Sequence, residues 1–142
     1  MDLPIQSAEL DAWATGFPIT LLHGTVALVV LLVGAAFYAL LSPHREIQQI
    51  REGNVAASIS FGGVVLGLAL PIALALSAST STLEIALWGV SVVVVQLALF
   101  WVTDMLLHGL PQRVKEGELA AAALLVAAKL AVAAILAAAV TA

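Results

Sequence analysis

The sequence predicts an all-α integral membrane protein with four transmembrane helices, and two observations indicate this fold class. Of the 142 residues, 63% are hydrophobic and only 10% are charged, whereas an average soluble domain carries about 25% charged residues. Four apolar stretches are each long enough to cross a bilayer core, which takes about 20 apolar residues. They are residues 19–41, 55–77, 85–107 and 119–141. These features argue against a soluble globular enzyme, because too few polar residues remain to cover its surface.

The first element is a polar segment, residues 1–18, which precedes the first span. It contains Asp2, Glu9 and Asp11 but no Lys or Arg. A cleaved signal peptide begins with a basic region. We therefore expect this segment to be retained, on the outer side of the membrane.

Each apolar stretch is predicted to be a helix. The third contains the β-branched run 92–95, which alone would suit a strand, but the surrounding apolar stretch is too long for a strand. The fourth is dominated by Ala and Leu, so a soluble Ala-rich helix is the alternative there. After three spans, a fourth crossing is the better interpretation. The whole chain, residues 1–142, then forms one membrane domain.

The orientation of the bundle follows from the loop cations. All four lie in the connections after the first and third spans, which share one side of a four-span protein. They are Arg45, Arg51, Arg113 and Lys115. By the positive-inside rule this side is cytoplasmic, so both termini are predicted to lie outside. The alternative is a chance distribution of four charges.

An offset of 64 residues aligns two halves of the chain, residues 19–77 and 83–141. Scarce residues recur at this offset: His44 and His108, and Gln48 and Gln112. Gly53 and Gly117 are also paired. Each half contains a helix, a loop and a returning helix, which predicts two parallel repeats related by an axis along the membrane normal. Convergence of two similar loops is the alternative.

The first loop is predicted to hold a short interfacial helix. Ser42 and Pro43 suit its N-cap and first position, and Gly53 suits a left-handed end. Asn54 is predicted to cap the next membrane helix. In the second loop, Gly117 takes the place of Gly53. Well-capped turns explain these residues better than a ligand site does.

Residues 46–67 resemble the signature of the YjfL-type family of small bacterial inner-membrane proteins, a domain of unknown function (three-fifty). The family pattern is an acidic residue, a spacer, Gly-Asn-x-Ala and a glycine-containing helix. It corresponds here to Glu46, Gly53, Asn54, Ala56, Gly62, Gly63 and Gly67. The resemblance implies a four-span, internally duplicated protein of the bacterial inner membrane, but no reaction. The second half departs from the pattern, with Glu118 where Asn is expected and alanines in place of the glycines.

Lys129 is the most informative single residue, because ionisable groups inside a membrane usually face the protein interior and have a partner. Helical side chains lean toward the N-terminus of their helix. This places the Lys129 ammonium roughly 9 Å deep and the Asp104 carboxylate roughly 5–7 Å deep from the loop side. We therefore predict an Asp104–Lys129 pair, with Gln96 at the depth of Lys129 completing a candidate polar site. The alternative is a Lys129 side chain that extends alone to the membrane surface.

Gly63 and Gly67 form a small-xxx-small pair in the second span, which is typical of close helix packing. We expect a contact within the bundle, and a dimer contact is the alternative.

No metal-ligand spacing, catalytic triad or phosphate-binding loop occurs in the sequence. We therefore predict no enzymatic activity, no catalytic or metal-binding residue and no cofactor. With a net charge of −4, nucleic acid is not an expected partner. The expected partners are the lipid bilayer and either further copies of the chain or other membrane proteins. Two functions remain: a structural or interaction component of the cell envelope, or an oligomeric channel- or transporter-like subunit using Lys129, Asp104 and Gln96.

Overall fold

The protein is all-helical, as the sequence predicts. A computed structural model describes residues 4–142, with side chains from residue 7 onward, and no β-strand occurs in that part of the chain. Four of its helices are long and apolar enough to cross a membrane: α1 (Pro4–Leu41), α3 (Val55–Ala78), α4 (Thr82–Leu106) and α6 (Leu119–Val140). Two short helices, α2 (Glu46–Arg51) and α5 (Leu110–Lys115), lie in the connections after α1 and α4. We call this end of the bundle the loop face.

The first helix begins earlier than the predicted span. The structure continues it from Pro4 through Pro18 without a break, so residues 4–18 are helical and continuous with the first span. The stretch contains three alanines, one leucine and one glutamate, which favour a helix. Residues 1–3 of the predicted segment, which include Asp2, lie outside the described residues.

Helices α3 and α6 form the most extensive helix pair, while α1 and α4 pack against each other and against α3. The larger apolar core cluster lies among α1, α3 and α4, and a second one lies among α3, α5 and α6. The glycines of α3 allow its close approach to its neighbours. A Cβ atom added at Gly63 would lie 2.6 Å from Val126 Cγ2 of α6, and one at Gly67 would lie 2.7 Å from Phe100 Cζ of α4. The structure therefore places both glycines at helix contacts inside the chain. This glycine row is not free for contact with a second chain.

The first loop helix starts later than predicted. It begins at Glu46 rather than at Ser42 and Pro43, and Arg45 precedes it with a left-handed φ of 51°. The intervening turn follows the end of α1, where the Ser42 amide still donates to the Tyr38 carbonyl. The predicted end of the helix is confirmed, because Gly53 has a φ of +89°.

The two loops carry matching hydrogen bonds at positions 64 apart. Gln48 donates to Glu52 across 2.9 Å, and Gln112 donates to Glu116 across 3.1 Å. Gly117 has a φ of +88°, like its counterpart in the first loop.

Glu118, which stands where the family motif has Asn, pairs with a residue of its own loop. In the first loop, Asn54 Nδ2 donates to Gln49 Oε1 at 3.4 Å. At the matching positions of the second loop, Arg113 and Glu118 form an ion pair. The hydrogen bond from Arg113 holds the pKa of Glu118 below its ordinary value. Glu118 occupies the N-cap position of α6 without a capping hydrogen bond of its own.

Asn54 joins the two loops, and its removal should loosen them. Its Oδ1 accepts from Ala57 N at 3.0 Å, which is the predicted cap of α3. Its Nδ2 donates to the carbonyls of Val114 (3.1 Å) and Lys115 (3.0 Å) in α5. Loss of an N-cap costs about 1 kcal/mol, and Asn54→Ala also leaves two carbonyls without this donor.

We expect Asn54→Ala to lower the thermal unfolding midpoint in mild detergent more than Glu118→Ala, because Glu118 pairs only within its own loop. Asn54→Asp should fall between wild type and Asn54→Ala, because it keeps the cap and loses the amide donor. An Asn54→Ala midpoint equal to that of wild type would show that the contact between the loops contributes nothing.

Candidate functional site

The structure contains the Asp104–Lys129 pair that the sequence predicts. Lys129 lies ten residues into α6, about 15 Å along the helix, and only 1% of its side chain is exposed. Its Nζ lies 2.9 Å from Asp104 Oδ1 and donates to the Tyr38 hydroxyl at 2.8 Å. The Lys129 side chain thus points back toward the loop face, as expected for a helical side chain that tilts toward the helix N-terminus. Its ammonium group binds Tyr38 and Asp104 inside the bundle and does not reach the surface.

Two aromatic rings enclose the ammonium group. Lys129 Nζ lies 4.9 Å from the centre of the Tyr38 ring and 5.6 Å from that of Phe100. The two rings meet edge to face, with centres 6.1 Å apart. A cation near aromatic faces is attracted by their quadrupoles, most strongly where water is excluded. The Phe100 ring therefore adds to the favourable interactions of the buried charge, while Tyr38 acts mainly through its hydroxyl.

Glu46 reaches the same cluster from the loop. It is the first residue of α2, yet its exposed fraction is only 5%. Its Oε1 accepts from the Ser60 hydroxyl at 3.2 Å and from the Tyr38 hydroxyl at 3.3 Å. Its Oε2 has no hydrogen-bond partner among the described residues. Burial raises the pKa of Glu46, while the nearby Lys129 charge opposes that rise.

These contacts define the charge cluster, which consists of Tyr38, Glu46, Ser60, Asp104 and Lys129. It draws one residue from each of α1, α2, α3, α4 and α6. The cluster therefore connects both halves of the chain at one depth.

Gln96 is separate from the charge cluster. It is fully buried, and neither its amide nitrogen nor its amide oxygen has a hydrogen-bond partner among the described residues. The predicted polar site is therefore divided: the structure joins Asp104 to Lys129, whereas Gln96 lies apart from their hydrogen bonds. The turn residues Gly53, Asn54 and Gly117 also lie outside these hydrogen bonds and shape the loops.

The sequence analysis missed Tyr38, and it named Glu46 only as the acidic residue of the family motif. A signal for Tyr38 was available, because it is the only tyrosine of the chain. It also lies three residues before the end of α1, close in depth to Asp104, which lies two residues before the end of α4.

A cavity of about 380 Å³ borders the charge cluster between α1 and α4. Tyr38, Ser42 and Asp104 contribute its polar wall, and the rest is largely apolar, including Leu97 and Trp101. Asp104 keeps 20% of its side chain exposed. The buried ion pair is therefore reachable through one carboxylate.

The arrangement can hold a paired charge within the membrane and pass protons along its hydrogen bonds. Within residues 7–142, no group of three or more His, Cys, Asp or Glu side chains is placed to hold a metal ion.

Comparison with known proteins identifies the family. The sequence model of the Domain of Unknown Function (DUF350) family matches residues 12–140. The UPF0719 inner membrane proteins YjfL of Escherichia coli strain K12 and of Escherichia coli O157:H7 are each 30% identical to the chain over 89 residues. The alignment covers 63% of this chain and 66% of each relative. No solved structure matches. Because the family match extends into all four membrane helices, the predicted resemblance is confirmed: the chain belongs to the DUF350 family and is a multi-pass inner-membrane protein.

Proposed function

We propose that the chain is a non-enzymatic structural or interaction component of the cell envelope, in which the charge cluster fixes the packing of the helices. The observation that supports this is the distribution of polar residues inside the bundle. The described residues of a single chain form no continuous buried polar path across the membrane, which favours a role of the cluster in the assembly of the bundle over one in conduction.

The buried polar side chains of the described residues all lie at the loop face or no deeper than the membrane centre. They are Glu46, Gln49, Ser60, Gln96, Thr103 and Lys129. The deepest, Gln96 and Lys129, are ten residues from the loop-face ends of their helices. This distance is about 15 Å, half of a bilayer core. Beyond this depth the fully buried residues are apolar, for example Ile72, Ile85 and Ala133.

We also propose that the two halves are parallel repeats and that both termini lie outside the cytoplasm. The repeat is supported by the matching loop hydrogen bonds at positions 64 apart. The orientation is supported by the four loop cations, all of which lie at the loop face.

The second candidate is an oligomeric channel- or transporter-like subunit. The cavity on Asp104 and the unpartnered amide of Gln96 favour it, because both place polar groups where a further copy of the chain could complete a path. This candidate needs an oligomer, since one four-helix bundle encloses no wide pore.

Photo-cross-linking in native membranes tests whether the chain contacts other proteins, which both candidate functions require. A photoreactive amino acid at Trp101, which is 67% exposed, faces outward, whereas one at the adjacent Phe100 faces the core. We expect discrete adducts with other copies or other membrane proteins from position 101 and none from position 100. The absence of adducts from position 101 would contradict an interaction role.

Ion flux in proteoliposomes distinguishes the two candidates. For a structural component, the flux of K⁺, Na⁺ and protons equals that of empty liposomes. Flux above that level, lost in Lys129→Ala, would overturn the structural proposal and support the transport-like one.

A further inference from the structure

We propose that the Glu46 carboxyl group is a proton-binding site that is occupied at neutral pH and is loaded from the Asp104 cavity through Lys129 and Tyr38. This inference goes beyond the proposed function, since it holds for a structural protein and for a transport subunit alike. It assigns to the acidic residue of the family motif a chemical task inside the bundle.

The charge balance of the cluster supports a protonated Glu46. The titratable groups that face Glu46 are Tyr38 from α1, Asp104 from α4 and Lys129 from α6, and α3 contributes the neutral hydroxyl of Ser60. One ammonium therefore faces two carboxyl groups. Lys129 Nζ lies 2.9 Å from Asp104 and makes no hydrogen bond to Glu46 that would neutralise a second carboxylate. If Glu46 holds a proton, the buried cluster is neutral, which avoids the cost of an uncompensated buried charge.

The hydrogen bonds of Glu46 support the same conclusion. Its Oε1 has two donors, whereas its buried Oε2 has none among the described residues. An ionised carboxylate with one oxygen buried and unpartnered is costly. Asp104 Oδ1 also makes no hydrogen bond, but it lies 2.9 Å from the Lys129 ammonium, whereas Glu46 forms no ion pair among the described residues. Burial raises the pKa of Glu46, in line with this geometry.

A continuous hydrogen-bond chain leads from the cavity to Glu46. Asp104 lines the cavity, and its Oδ2 accepts a hydrogen bond from Lys129 Nζ at 3.2 Å. Lys129 Nζ also donates to the Tyr38 hydroxyl at 2.8 Å. The Tyr38 hydroxyl donates to Glu46 Oε1 at 3.3 Å. Every link is a donor-acceptor pair whose members are held by different helices of the bundle.

Proton transfer along these hydrogen bonds conserves the number of protons. A proton that enters from the cavity binds Asp104 and passes to Lys129 as Lys129 gives one of its protons to the Tyr38 oxygen. Tyr38 in turn gives its hydroxyl proton to Glu46 Oε1. Lys129 and Tyr38 each end with the protons they had at the start, so the net change is one proton moved from Asp104 to Glu46. No oxidant, reductant or further reactant is needed.

Infrared spectroscopy of the full chain in nanodiscs tests the proton site. We expect the carbonyl band of a protonated carboxylic acid at pH 7. The band should be lost in Glu46→Gln and kept in Glu52→Gln, an exposed glutamate of the same loop. If Glu46→Gln does not fold, Ser60→Ala is the second variant. Loss of its hydrogen bond to Oε1 should move the band and raise its titration midpoint.

The proton path through Lys129 and Tyr38 is tested by the rate at which the carbonyl band of Glu46 shifts after transfer into D₂O. Tyr38→Phe keeps the ring and removes the hydroxyl, and we expect it to slow this exchange by about 100-fold. No protonated-acid band at pH 7, or a band that Glu46→Gln leaves intact, would overturn the proton site. Exchange in Tyr38→Phe as fast as in wild type would overturn the proton path.

Discussion

Lys129→Met is expected to destabilise the bundle by about 3–5 kcal/mol, the range typical when one partner of a buried ion pair is removed. Methionine fills a similar volume but cannot donate to Tyr38 or neutralise Asp104, both of which contact Lys129 Nζ. The measurement is the free energy of unfolding by SDS titration in mixed micelles.

Two further variants identify the cause of this loss. Lys115→Met removes an exposed cation of α5 and should leave stability close to wild type. The double variant Asp104→Asn with Lys129→Met should be more stable than Lys129→Met alone, because it leaves no buried charge. If Lys129→Met is as stable as Lys115→Met, the buried ammonium does not stabilise the fold.

Gly63→Ala is the second variant with a large expected effect, a loss of about 1–3 kcal/mol from overpacking. The new Cβ would lie 2.6 Å from Val126 Cγ2 and 3.0 Å from Val126 Cβ. Val126 is β-branched and has little rotamer freedom in a helix, so α3 and α6 must move apart. The thermal unfolding midpoint in detergent and the yield from membranes report the loss.

Gly62 provides a matched control for this contact. It is adjacent in α3, and a Cβ there would meet nothing within 4 Å. We expect Gly62→Ala to be neutral or stabilising, since Ala favours a helix by about 1 kcal/mol over Gly. Val126→Ala should restore part of the stability that Gly63→Ala loses. Equal effects of alanine at the two positions would contradict the close contact between α3 and α6.

The four spans and the depth of their charges could be predicted from the sequence, because both follow from the length of apolar stretches and the rise of a helix. The Asp104–Lys129 pair was predictable from depth alone. Which face each residue occupies was not, since the spans are apolar all round and carry no amphipathic stripe that would indicate their rotation.

The role of Glu46 could not be predicted, because it depends on the path of the turn before α2. Arg45 has a left-handed backbone conformation, and α2 begins only after it, at Glu46. The Glu46 side chain is therefore buried against the bundle and not exposed to water. The separation of Gln96 from the cluster also depends on helix rotation. By contrast, the ends of the loop helices at Gly53 and Gly117 follow from local backbone chemistry, and the sequence placed them correctly.

The central claim is that the Asp104–Lys129 pair fixes the packing of this bundle, and the charge swap tests it most directly. Side chains of α4 lean toward the membrane centre and those of α6 toward the loop face, so a lysine introduced at position 104 still extends toward position 129. The measurement is the free energy of unfolding of Asp104→Lys, Lys129→Asp and the double swap. Each single change should lose several kcal/mol, because it places two like charges together, and the double swap should recover a large part. A single variant as stable as wild type, or a double swap no better than its singles, would contradict the claim.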